Sequence, residues 1–160
     1  MQRWGEPRAT NDADLTLITG FGSEVRFIAA LLKRFRARGD DAAEFALQRR
    51  VLLLSATNGV PLDIALAAIP FEERSVERAS SWRISNHLTL TTCGGEDLIV
   101  HKVFAARGQD WVDVEGVLRR QREKLNFSLI LEELRPLLAL KEEAENEDRL
   151  RKLMRSEGLV

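Results

Sequence analysis

Two short apolar runs meet across an Asn-Gly pair: VLLLSA at 51–56 and VPLDIAL at 60–66, with Asn58-Gly59 between them. Asn-Gly readily takes the positive-φ conformations of a tight hairpin turn, so the pattern predicts two antiparallel strands. The first run is compact and uniformly apolar, as in a buried strand. In the second, Leu62, Ile64 and Leu66 fall on one face, with Asp63 and Ala65 on the other. Aspartate is disfavoured inside strands, so Asp63 calls for a reason.

A third strand is expected before this pair. From Asp12 to Ile18 the chain alternates, with Ala13, Leu15 and Leu17 on one side and Asp12, Asp14, Thr16 and Ile18 on the other. Gly20 and Gly22 break it, and Ser23 is a candidate N-cap. Val25, Ile28, Ala29, Leu32 and Phe35 then recur at helical spacing. Lys33, Arg34, Arg36 and Arg38 stand in the expected last turn, where they suit the helix dipole. Gly39, Asp40 and Asp41 read as a loop. A short helix is predicted over 71–79 and a weakly extended stretch over 82–90. Helical spacing returns at 96–107, 110–121 and 127–138, the last with Pro136 near its end, and a charged tail at 141–155 completes the pattern.

Strands first and helices second predict an α+β fold. With 160 residues and no linker-like composition, the expectation is a single domain over 1–160, its sheet-containing core at 1–92 and its helical half at 93–160. The apolar fraction of 44% and charged fraction of 31% fit a globular chain and exclude a disordered one. A net charge of −1 gives no global field for nucleic acid. The single cysteine, Cys93, allows neither an intrachain disulfide nor a cysteine metal cluster, and reads as a small buried hydrophobe. No apolar stretch approaches the ~20 residues of a membrane span, and MQRWGEPR has no hydrophobic signal core. A cytoplasmic protein with no membrane partner is expected.

Asp12 and Asp14 stand at i and i+2 of the first strand, so both point the same way and can share metal ions. A third carboxylate on a neighbouring strand completes such a site, and Asp63 lies on the polar face of its strand. Spacing alone does not single them out. A chain this acidic yields roughly four such pairs by chance, and this one has four: Asp12/Asp14, Asp113/Glu115, Glu143/Glu145 and Glu145/Glu147. Only the first lies on a predicted strand. From the residues alone, a metal site and a solvated strand face stand equal.

The run Trp4-Gly5-Glu6-Pro7-Arg8-Ala9-Thr10-Asn11-Asp12-Ala13-Asp14-Leu15 resembles a motif of the DNA polymerase beta-type nucleotidyltransferase superfamily, in the branch of the AbiEii-type toxins. Members carry Arg-x-Thr-x-Asp-x-Asp and then a lone Asp on a later strand, matched by Val60-Pro61-Leu62-Asp63-Ile64-Ala65. A helix with Lys after Glu-Asp-Leu follows, matched by Glu96 to Lys102, and then Asp-x-x-Asp, matched by Asp110 and Asp113. The resemblance spans roughly 4–140, in order. It implies a mixed β-sheet with flanking helices and a helical C-terminal half. It also implies transfer of a nucleotidyl group from a nucleoside triphosphate to a hydroxyl, with RNA as one acceptor.

By the same resemblance, Asp12, Asp14 and Asp63 would hold Mg²⁺, with Mn²⁺ as the alternative. Lys102 would neutralise triphosphate or support the carboxylates, against a plain reading as a snorkelling helix lysine. Asp113 would orient Lys102. Asp110 reads either as an N-cap or as catalytic. Arg8 and Thr10 would contact nucleotide phosphates or brace the loop. Arg119, Arg120, Arg122 and Lys124 form a basic cluster, either a solvated helix end or a surface for RNA. His87 and His101 lack metal-ligand company. The toxin branch implies an antitoxin partner, and oligomerisation is a further expectation. Members also carry an upstream helix, strand and Gly-Gly or Gly-Ser turn cradling the triphosphate, which this chain does not match. Three explanations stand: a gene start set too late, which is favoured, a truncation, or an inactive relative acting as a binding module.

Overall fold

The structure, a computed structural model, describes residues 1–7 and 9–159. It is α+β: seven α-helices, a four-stranded mixed sheet and a two-stranded sheet among the described residues. The chain divides into two compact units, one of Ala9–Glu77 and one of Met1–Arg8 with Arg78–Val160.

The first unit runs β1 (Ala13–Ile18), α1 (Glu24–Leu32), β2 (Arg36–Ala37), α2 (Ala42–Arg49), β3 (Val51–Ser55), β4 (Pro61–Ala67) and α3 (Pro70–Glu77). The sheet order is β1-β4-β3-β2, with β1 parallel to β4 and the other pairs antiparallel. The β3–β4 hairpin forms as its turn residues predict. Gly59 takes φ +83° and donates to the Ala56 carbonyl at 2.9 Å, while Ala56 donates to Val60 at 2.8 Å.

Alternation then decides the faces. Leu52 and Leu54 of β3 and Ile64 and Leu66 of β4 are buried with Ile28 of α1 and Ala42 and Ala46 of α2, and Leu17, Leu62 and Phe35 pack against them. Asp63 falls on the opposite face, as its register requires. Arg50, in the left-handed conformation at φ +56°, ends α2 and gathers the surrounding segments. Its guanidinium donates to Glu24 at 2.5 Å, to the Gly20 carbonyl at 3.3 Å and to the Leu66 carbonyl. The Arg50 hydrogen bond holds the Glu24 carboxyl below its ordinary pKa.

One expectation needs correction here, and one helix goes beyond the expectations. The basic residues after α1 do not lie in its last turn. α1 stops at Leu32, and Arg36 belongs to β2, paired with Ser55. Helix α2 was not anticipated, because its buried face is made of Ala42 and Ala46, whose small side chains give little hydrophobic signal.

The second unit contains the hairpin β5 (Ser80–Arg83) and β6 (Thr89–Thr92), then α4 (Gly95–Ala105), α5 (Gly108–Gln121), a 3-10 turn (Arg122–Lys124), α6 (Phe127–Lys141) and α7 (Glu145–Ser156). The hairpin replaces the single extended stretch expected at 82–90, and α6 continues past Pro136 to Lys141. Asn126 caps α6, its side chain accepting from Leu129 N at 3.1 Å. Ile99, Val103, Val114, Val117, Leu118, Ile130, Leu134 and Leu150 are fully buried.

The N-terminal segment belongs to this unit. Trp4 Nε1 donates to the Cys93 carbonyl at 2.8 Å, Gln121 donates to the Trp4 carbonyl at 2.7 Å, and Arg120 donates to the Gly5 carbonyl at 2.7 Å. Charge is also buried in the unit. Arg78 donates to both oxygens of Asp97 at 3.2 Å and to Glu133 at 2.8 Å. Asp97 and Glu133 are only 2% and 5% exposed, so neither carboxylate can fall back on water. The hydrogen bond to Asp97, with Glu133 adding to it, raises the Arg78 pKa against the effect of burial.

Removing one partner of a buried ion pair strands the other. Arg78→Met is expected to cost about 3–5 kcal/mol in urea unfolding. Arg78→Lys should recover only part of this, because an ammonium cannot reproduce the forked contact. Equal stability of Arg78→Met and the parent would refute the assignment.

Candidate functional site

Parallel pairing of β1 with β4 sets Asp14 directly beside Asp63. Register partners on neighbouring strands face the same way, with backbones about 4.8 Å apart. Asp14 is exposed and the Asp63 side chain is 34% exposed, so solvent reaches both. Asp12 lies in a bend just before β1 and is also exposed. Thr10 is exposed in the irregular segment ahead of it, and Arg8 lies outside the described residues. Among the described residues, no three His, Cys, Asp or Glu side chains are gathered as a metal cluster.

Sequence reading missed the partner of Asp63. Arg38 follows β2, where its backbone N–H donates to the Leu53 carbonyl at 3.1 Å, and its guanidinium forms an ion pair with Asp63. Leu53 is itself opposite Asp63 in the antiparallel β3–β4 register. No signal in the sequence announced this pair, because β2 is only two residues long.

The carboxylates suit a hard cation. Mg²⁺ takes oxygen ligands, keeps several waters and is commonly held by one or two protein carboxylates together with substrate phosphates. Asp14 and Asp63 supply such a pair. The guanidinium of Arg38 competes with a cation for Asp63. Arg38→Gln is therefore expected to tighten Mn²⁺ binding, read by water-proton relaxation, by about tenfold. Asp14→Asn should weaken it. Unchanged affinity in both variants would refute a cation site here.

Lys102, Asp110 and Asp113 lie in the other unit. Lys102 Nζ of α4 sits 2.8 Å from Asp110 Oδ1 and 3.0 Å from Asp113 Oδ2, both on α5. The carboxylates are 1% and 3% exposed, so the lysine pins two helices through buried charge. Asp110 is not the N-cap of α5. It stands at the third helical position, accepting from the backbone N–H of the cap residue Arg107 at 3.1 Å and from its Nε at 2.7 Å. Gln109 donates to Asp113 at 3.2 Å.

Burial alone would lower the Lys102 ammonium pKa, but hydrogen bonds to Asp110 and Asp113 outweigh it and raise the pKa. Burial would raise the Asp110 carboxyl, yet the contacts from Arg107 and Lys102 hold it below the ordinary aspartate value. A depressed carboxyl stabilises the fold above its unfolded pKa of about 3.9, and that stability is lost as pH falls through the folded value. Lys102→Met should cost about 3–5 kcal/mol at neutral pH. The deficit should shrink well below about pH 4, as the depressed Asp110 carboxylate takes a proton and needs its cation less. Urea unfolding at the two pH values checks this, and a pH-independent deficit would refute it.

The basic cluster is partly committed. Arg119 pairs with Glu115 and, at 3.0 Å, with Glu157, while Arg120 is tied to Gly5. Arg122 and Lys124 lie in the 3-10 turn. His87 is exposed and His101 half-buried. Cys93 is half-buried rather than fully buried, and burial pushes its thiol pKa up. No helix among the described residues is long and apolar enough to cross a membrane. No protein-family model matches the chain, and no curated protein matches it.

Proposed function

We propose that this chain is a metal-dependent nucleotidyltransferase of the polymerase beta type, in the toxin-like branch, moving a nucleotidyl group from a nucleoside triphosphate to a hydroxyl acceptor. The observation that carries the reading is Asp14 beside Asp63 on adjacent parallel strands. The run from Trp4 to Leu15 that resembles the superfamily motif supports it.

In this reading Asp14 and Asp63 would hold Mg²⁺, or Mn²⁺ in its place, with Asp12, in the bend before β1, as a third candidate ligand. When bound, the ion offsets the charge on the triphosphate and the departing pyrophosphate. Asp63 orients the acceptor hydroxyl and takes its proton. The hydroxyl oxygen bonds to the α-phosphorus as the bond to the bridging oxygen of the β-phosphate breaks, and pyrophosphate leaves. Asp63 would have to release Arg38 to hold the ion, so the pair would set a threshold for metal binding. Lys102, Asp113 and Asp110 act through the helical unit's stability, since their charges already satisfy one another. Thr10 and Arg8 would meet the nucleotide phosphates, and Arg122 and Lys124 an RNA acceptor. An antitoxin, a cytoplasmic location and self-association belong to the same reading.

A second reading is a binding module without turnover. The Arg38–Asp63 pair favours it, because it already neutralises the carboxylate that would act.

The deciding measurement is Mg²⁺-dependent transfer of labelled nucleotide to total RNA and protein. Asp14→Ala should cut transfer by about a hundredfold or more, since even residues that only support metal ligands cost 10–100-fold. Equal labelling by Asp14→Ala and the parent would exclude the enzyme. Nucleotide binding without transfer would favour the module.

A further inference from the structure

The β2 edge of the four-stranded sheet borders an open cavity of about 720 Å³. Its walls include Arg34, Arg36, Arg38, Ser55, Thr57 and Gly59, and none of its lining residues is a carboxylate. Arg36 lies in β2 and Arg38 in the bend just after it, where its backbone N–H still pairs with Leu53, and both line the cavity. Ser55 is the cross-strand partner of Arg36 and sets a hydroxyl beside it. The Arg38 guanidinium reaches Asp63, but Arg34 and Arg36 are exposed and have no carboxylate partner among the described residues.

Three guanidinium groups around one concavity repel one another, and one carboxylate offsets only one of them. Charges on an edge strand guard against strand-to-strand association. Guarding an edge requires neither a concavity nor hydroxyls set beside the cations. A bound anion resolves the repulsion. The guanidinium fork matches phosphate oxygens in bidentate fashion, and the Ser55 and Thr57 hydroxyls add donors. The volume falls in the range of about 300–1,000 Å³ typical of small-molecule sites, which suits a compact ligand better than a polymer.

We propose that this cavity binds the di- or triphosphate group of a phosphorylated small molecule through Arg34, Arg36 and Arg38. The site stands on the geometry of the first unit and does not require the Asp14–Asp63 pair to be catalytic. Binding here needs no divalent ion, which separates it from the carboxylate centre.

The test is calorimetric titration of the full chain with inorganic tripolyphosphate, without divalent metal. Saturable one-to-one binding that weakens with salt is expected. The double variant Arg34→Gln/Arg36→Gln should lose about tenfold or more in affinity, as expected when charge-assisted hydrogen bonds are removed. The milder Arg36→Gln should lose about threefold and reads the same site should the double variant fold poorly. Lys152→Gln/Arg155→Gln, on α7 of the other unit, should bind as the parent does.

No saturable binding would overturn the proposal, as would equal losses in both double variants, which would mean diffuse charge attraction. Retained affinity in Arg34→Gln/Arg36→Gln with new self-association would reduce the arginines to edge guards. A single-stranded RNA oligonucleotide binding more tightly than tripolyphosphate, and weakened by the same variants, would overturn the small-molecule assignment.

Discussion

Strand β4 is hydrogen-bonded on both sides, parallel to β1 and antiparallel to β3, and the first unit is organised by that double pairing. Its even-numbered residues, Ile64 and Leu66, are committed to the core under α1 and α2. Period-two alternation then sends Asp63 to the other face. A slip of one residue would bury the aspartate and expose the leucines, so hydrophobic burial fixes the register. The same constraint fixes which β1 residue stands beside Asp63. The polar pair is thus a by-product of where the apolar side chains must go.

The helical unit solves a different problem. Its helices meet through apolar contacts, but two charge clusters are placed inside. Arg78 ties α4 to α6 through Asp97 and Glu133, and Lys102 ties α4 to α5 through Asp110 and Asp113. Buried ion pairs add little net stability compared with apolar packing, yet they tolerate few alternative arrangements. A helix shifted by one turn would leave a buried carboxylate without its cation. The clusters therefore select one packing out of several that leucine and valine would allow.

The α+β class and the β3–β4 hairpin were legible in the sequence, because Asn58-Gly59 and strict alternation are local signals. So were the later helices, whose apolar residues repeat every three or four positions. Helix α2 was not, since Ala42 and Ala46 bury little surface each. Nor was the β5–β6 hairpin, whose strands are four residues long and mostly exposed. At the candidate site the sequence marked Asp14 and Asp63 as unusual strand residues but could not say that their strands are neighbours, let alone in register. Arg38 was hidden for a related reason. It reaches Asp63 across the sheet, and no local pattern encodes a contact between residues so far apart along the chain.

The hairpin turn at Gly59 carries a kinetic consequence. β3 and β4 are joined by a short loop, so their pairing closes quickly and at small entropic cost. β1 joins β4 only by closing a loop of roughly fifty residues, and contacts of that span form late. The edge strand holding Asp14 is thus expected to pair after the β3–β4 hairpin has closed. A chain that has folded its hairpin but not yet recruited β1 already carries Asp63, without the neighbour that gives this carboxylate its company.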